Sequence, residues 1–136
     1  ALQKWSSEHF HFINYITKGT NPWTEHYGAL MAEIPDPTDP STQLNTDLLR
    51  RISEADRIFI AGEALSHCMK ETISQIADNV SKNILKKIHI ITDCTSSIPE
   101  IPSVIDFPEI CREFLKEIKK KGMILTTADQ AIASLK

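Results

Sequence analysis

Short apolar runs alternate with amphipathic stretches along this chain, and that alternation admits few architectures. Ile58-Phe59-Ile60-Ala61, His89-Ile90-Ile91-Thr92 and Met123-Ile124-Leu125-Thr126 are near-continuous runs of apolar or branched residues. Such runs mark strands of a parallel sheet more than half-exposed ones, which would alternate. Phe12-Ile13-Asn14-Tyr15-Ile16 is strand-like as well, rich in aromatic and branched residues. Helical periodicity fills the intervals. Residues 42–54 set Leu44, Leu48, Leu49 and Ile52 on one stripe, and residues 68–80 turn Ile73, Ile76 and Val80 inward. A third helix over 108–120 has Pro108 in its first turn and is stopped by Gly122. Residues 2–10 are helix-like too. The strands expected are therefore 12–16, 57–61, 89–92 and 123–126. The fold class expected is α/β: a three-layer sandwich with a parallel sheet covered on both faces.

Two stretches interrupt the pattern. Residues 19–41 carry Pro22, Pro35, Pro37 and Pro40, and residues 96–107 are again punctuated by proline. Proline fixes φ and biases the preceding residue away from helix, so both are loops. With 136 residues, 41% of them hydrophobic and 24% charged, the chain has the size and composition of one globular domain, 1–136. Its net charge of −3 is dispersed, and the basic run 116–121 is broken by Glu117 and Ile118, as on a solvated helix face. No nucleic-acid partner is expected, and no apolar stretch is long enough to imply a membrane span. Three cysteines, Cys68, Cys94 and Cys111, form no Cys-x-x-Cys pair. That spacing argues against a disulfide framework or structural zinc, and a reducing cytoplasm is the expected location.

In parallel sheets, sites form at the carboxyl ends of the strands. Three features converge there: Lys18 after the first strand, Gly62 to Cys68 after the second and Asp93 after the third. Cys68 is the leading candidate for chemistry. It stands where a strand turns into a helix, and the unpaired N–H groups of a helix start favour thiolate over thiol. Those N–H groups also stabilise the oxyanion that forms when a carbonyl is attacked. Without that turn, Cys68 would read as a small buried hydrophobe. Lys18 could hold the thiolate by charge, or be an ordinary loop lysine. His26 and Tyr27, in the next loop, are candidate pocket residues. His67 neighbours Cys68 in sequence, but adjacent side chains at a helix start diverge, so a wall of the pocket suits it better than a Cys-His dyad. His9 and His11 flank Phe10 at alternating spacing without making a convincing metal site, and Cys94 and Cys111 read as structural.

The run Gly62-x-Ala64-x-x-x-Cys68, between a strand and a helix reaching Thr72, resembles the nucleophile segment of the nicotinamidase/isochorismatase-like cysteine hydrolases. His67 also matches the Gly-x-Ala-x-x-His-Cys form found in pyrazinamidases. Lys18-Gly19 resembles the family's catalytic Lys-Gly, and Tyr27-Gly28-Ala29-Leu30 its Tyr-Ser-Ala-Phe stretch, with Leu30 in place of the aromatic residue. Thr92-Asp93-Cys94-Thr95 is similar to the element after the next strand, and residues 122–126 to the closing strand. The resemblance runs in order along essentially the whole chain. It implies an isochorismatase-like hydrolase fold, with Cys68 as nucleophile and Lys18 as its electrostatic partner. The oxyanion hole would be formed by the N–H groups of Ala64 and Cys68, set up by a cis peptide at Glu63-Ala64. The pocket would be lined by Tyr27, His26, Glu63 and His67, with Glu63 where small or apolar residues are common. The substrate implied is a small-molecule amide, cleaved through a thioester with loss of ammonia.

The resemblance also implies residues that have no match here. The family's general base is an aspartate at the end of its first strand, and its metal ligands follow in the next loop. The chain as given begins after both, and Asp93 does not fit that motif. No cofactor is expected on this chain, and a divalent metal (zinc, iron or manganese) would belong to residues upstream of it. The family's sheet order, 3-2-1-4-5-6, would leave the strand at 12–16 separated from the one at 57–61 by two absent strands. The expectation is a C-terminal portion of a larger domain, complemented by an N-terminal segment or by a partner chain in a homo-oligomer. Beside the hydrolase stand two alternatives: a catalytically silent relative acting as a binding or oligomerisation module, and an unrelated α/β protein with a redox-sensing Cys68.

Overall fold

The computed structural model describes residues 2–135. Three parallel strands, β1 (Ile58–Glu63), β2 (Ile88–Ser96) and β3 (Ile124–Thr126), form one sheet in the order β1-β2-β3. Helices α1 (Leu2–His9), α2 (Thr46–Glu54), α3 (Cys68–Asn79), α4 (Lys82–Leu85), α5 (Phe107–Lys121) and α6 (Ala128–Ala133) surround it, with a 3-10 turn at Pro40–Thr42.

Register fixes which side chains share a face. Ile58 lies opposite Ile88, Ile60 opposite Ile90, and Ile90 opposite Leu125. Side chains alternate along a strand, so these five belong to one face. That face meets Ile73 and Ile76 of α3 and Phe114 and Ile118 of α5 in a single core, where Ile73, Ile88 and Ile90 are each 0% exposed. The other face is only half-covered. Phe59 and His89 pair their rings there at 5.1 Å, and Ile124 stays 40% exposed.

The expected element types recur with shifted ends. α2 starts at Thr46, four residues later than the stripe of leucines suggests, because the Asn45 side chain accepts the Leu48 N–H at 2.9 Å and caps the helix there. β1 runs on through Gly62 and Glu63, and β2 through Ser96, since Gly62 pairs with Thr95 and Glu63 with Ser96 beyond an irregularity after Ile60. Gly122 ends α5 at φ 115°, a conformation open to glycine. α6 is an addition to the expected set. Its signal was Thr127-x-x-Gln130, a capping box in which the Thr127 side chain accepts from the Gln130 N–H and the Gln130 side chain from the Thr127 N–H.

The expected strand at 12–16 does not form. Residues 11–20 carry no regular structure, and Phe12 is 98% and Tyr15 75% exposed. Strand propensity needs a neighbouring strand to complete its hydrogen bonds, and no described strand lies alongside. The outer edge of β1 is likewise unpaired among the described residues. Among the described residues, no helix is long and apolar enough to cross a membrane.

Candidate active site

Cys68 is the first residue of α3 and is half-buried. The strand-to-helix turn that delivers it is held tightly. Gly62 adopts φ 132°, which side-chain-bearing residues rarely take up, and the Glu63-Ala64 peptide is cis. The Leu65 N–H donates to the Ser96 carbonyl at 2.8 Å, tying the turn to β2. The His67 and Met69 N–H groups both donate to the Ala64 carbonyl, at 3.0 and 3.1 Å. The Ala64 and Cys68 N–H groups donate to no backbone carbonyl among the described residues. Two donors are thus left free at the start of a helix, beside a thiol.

Lys18 reaches this thiol from the irregular stretch. Its Nζ lies 3.4 Å from Cys68 Sγ and donates to the His26 carbonyl at 3.2 Å. The loop that presents Lys18 and His26 is fastened to α3 by two residues that periodicity alone did not single out. The Thr72 hydroxyl accepts from the Ala29 N–H at 3.0 Å and donates to the Cys68 carbonyl at 2.7 Å. Gln75, 8% exposed, accepts from the Leu30 N–H at 3.1 Å and donates to the Met31 carbonyl at 2.9 Å. Both sit on the inward side of α3, among positions that an apolar stripe would fill. A polar residue on such a stripe was the available signal. Gly28 lets the loop lie close against this amide: a Cβ at that position would come 2.1 Å from Gln75 Oε1 and would force the Gln75 side chain to shift. Leu30 is 1% exposed and belongs to the core.

A cavity of about 260 Å³ opens at Cys68, lined by Lys18, Gly62, Glu63, Met69 and Thr72 among others. Of the four residues expected to line the pocket, only Glu63 does so. His26 supports Lys18 through its backbone, while its Nε2 is buried without a hydrogen-bond partner. Tyr27 and His67 line a neighbouring depression of about 160 Å³. The His67 ring turns toward Phe107, 5.1 Å between centroids, and its Nδ1 lies 2.8 Å from Ser66 Oγ. That orientation follows from the divergence of adjacent side chains at a helix start.

The remaining polar candidates have other work. Asp93 accepts the Ala128 N–H at 2.9 Å and so serves the start of α6. His9 and His11 both stack on Trp5. Cys111 is buried, and burial pushes its thiol above the usual value. Cys94, expected to be structural, is exposed, because the polar end of β2 projects beyond the core. The divalent metal implied by the resemblance finds no donor set: no group of three or more His, Cys, Asp or Glu side chains converges among the described residues. The residues present do not fit a metal centre.

No family model matches the chain, and no curated protein matches it. Two solved structures do. The yeast nicotinamidase Pnc1p aligns with a TM-score of 0.59 at 19% identity over 92% of this chain and 50% of that one. The same protein bound to the inhibitor nicotinaldehyde aligns with a TM-score of 0.60 at 17% identity over 93% of this chain and 50% of that one. The chain spans about half the length of these structures. Over that span its fold is the expected isochorismatase-like α/β fold, shared with the yeast nicotinamidase.

Proposed function

We propose that this chain carries the nucleophilic half of a cysteine-dependent amidohydrolase of the nicotinamidase-related type, acting on a small amide. The single observation that supports this most is the 3.4 Å approach of Lys18 Nζ to Cys68 Sγ. An ammonium beside a thiol favours the nucleophilic anion, and two unclaimed N–H groups lie at the same turn. In the proposed reaction, Cys68 sulfur attacks the amide carbonyl carbon and the oxygen takes the negative charge, facing the Ala64 and Cys68 N–H groups. As the tetrahedral species collapses, the C–N bond breaks and the nitrogen leaves as ammonia, taking the proton that the Cys68 thiol gave up on attack. Water then cleaves the thioester, giving the carboxylic acid and restoring the thiol. Ammonia release from a panel of small amides, by the wild-type protein and by Cys68→Ala, tests this. Release that depends on Cys68 supports the hydrolase, and release that survives the substitution refutes it.

The same reading has the sheet completed by further strands beside β1, supplied by the same polypeptide or by a partner in an oligomer. Its support is the unpaired edge of β1, the unpaired run at 12–16 and the 50% coverage of the nicotinamidase structure. The general base and any metal would come with those strands. Intact mass and the N-terminal sequence of the natural protein test it. A catalytically silent binding or oligomerisation module is the second reading. It predicts no ammonia release and an intact fold. Rapid alkylation of Cys68 by iodoacetamide without turnover would favour a redox sensor instead. A reducing, cytoplasmic setting fits all three.

A further inference from the structure

Glu63 places a carboxylate at the edge of the Cys68 cavity. Two charged side chains, Lys18 and Glu63, line the Cys68 cavity. Lys18 is committed on both sides, to Cys68 Sγ at 3.4 Å and to the His26 carbonyl at 3.2 Å. Glu63 is held from one side only. Its Oε1 accepts from Ser96 Oγ at 2.8 Å, leaving the second carboxylate oxygen free to meet a ligand. Ser96 is the register partner of Glu63 on β2, and its carbonyl also takes the Leu65 N–H at 2.8 Å. One residue thus contacts both the backbone of the turn and the Glu63 carboxylate, and so favours one direction for that side chain.

We propose that Glu63 is a specificity-determining residue that selects amides whose acyl part carries a positive charge and disfavours anionic ones. This deepens the reading of Cys68 as nucleophile and rests on it. Lys18 is drawn to Cys68 Sγ and to the His26 carbonyl, whereas the second Glu63 oxygen has no partner among the described residues, so Glu63 is the charge most open to a ligand. A fixed charge within one small cavity discriminates between ligand charges more than between ligand shapes.

The test uses two thiol reagents of similar size and opposite charge, (2-trimethylammonioethyl) and (2-sulfonatoethyl) methanethiosulfonate, on the full-length protein. Modification of Cys68 is followed by peptide mass spectrometry, with exposed Cys94 in the same samples as the reference. In the wild type the cationic reagent is favoured at Cys68 relative to Cys94. In Glu63→Gln that preference falls by roughly 5-fold, the scale of one partly screened charge. Glu63→Asp keeps most of it, and raising salt compresses it in the wild type. An unchanged preference in Glu63→Gln, or one indifferent to salt, overturns the proposal. The labelling needs no turnover, so it stands or falls separately from the hydrolase reading, which fails by ammonia release that is absent or independent of Cys68.

Discussion

Lys18 and Cys68 are fifty residues apart in sequence, yet Lys18 Nζ lies 3.4 Å from Cys68 Sγ. Nothing in regular secondary structure brings them together. Lys18 comes from an irregular stretch, and its position depends on hydrogen bonds made to α3 by the loop that follows. The pair therefore joins an irregular stretch to the first residue of α3.

If Lys18 acts on the thiol by charge, removing it slows the thiol without unfolding the helix. Lys18→Ala is expected to reduce the alkylation rate of Cys68 by iodoacetamide near neutral pH by roughly 10-fold, the scale of losing one adjacent charge. Lys18→Arg should keep most of the rate, and Cys94 serves as the unaffected control. Equal rates at Cys68 in wild type and Lys18→Ala would detach the two residues functionally.

Gln75 anchors that loop from inside the core. Gln75→Leu nearly conserves volume but strands the Leu30 N–H and the Met31 carbonyl, both now matched at 3.1 and 2.9 Å. The expected cost is about 1–3 kcal/mol in urea unfolding. Because the same loop carries Lys18, alkylation of Cys68 should slow in this variant as well.

Stability should also respond to pH through His89. Burial, and secondarily the Arg57 charge, hold its imidazole below the ordinary value of 6.5. The unfolded chain then binds more protons than the folded one, so His89 contributes fully above pH 6.5 and the contribution is lost as pH falls through the depressed folded value. The midpoint of thermal unfolding should drop between about pH 7.5 and pH 5, and His89→Gln should flatten that drop. Asp36 and Asp39 act elsewhere on the scale. Hydrogen bonds from Thr38 and Ser41 hold them below 3.8, so their contribution disappears only in stronger acid.

The two faces of the sheet should differ in tolerance. Ile90, 0% exposed in the central strand, meets α3 and α5, and Ile90→Ala should cost about 2–5 kcal/mol by chemical denaturation. Ile124→Ala, on the half-covered face, should cost distinctly less.

Where the sequence was legible, a local rule matched a tertiary outcome. Strands at 58–60, 88–91 and 124–126 are apolar where they meet the core, at Ile58, Ile60, Ile88, Ile90 and Leu125, and Gly62 and Gly122 stand where the backbone turns to positive φ. The turn carrying Cys68 could be read for the same reason. The rest depended on partners. Residues 12–16 have the composition of a strand but no neighbour to pair with, and propensity cannot supply one. Glu63 and Ser96 look like loop residues until the register of β1 and β2 sets them side by side. Tyr27 and His67 were assigned to the pocket by proximity in sequence, whereas the start of α3 aims His67 at Phe107. Thr72 and Gln75 break an apolar stripe, a departure whose meaning appears only with the loop they hold.

The central claim is that Cys68 attacks an amide and carries its acyl group. The most direct measurement is mass spectrometry of protein quenched in acid during turnover of an amide from the ammonia-release panel. A mass increase equal to the acyl group is expected, confined to the peptide bearing Cys68 and removed by hydroxylamine. Ammonia release with no adduct at Cys68, or with the adduct on another residue, would contradict it.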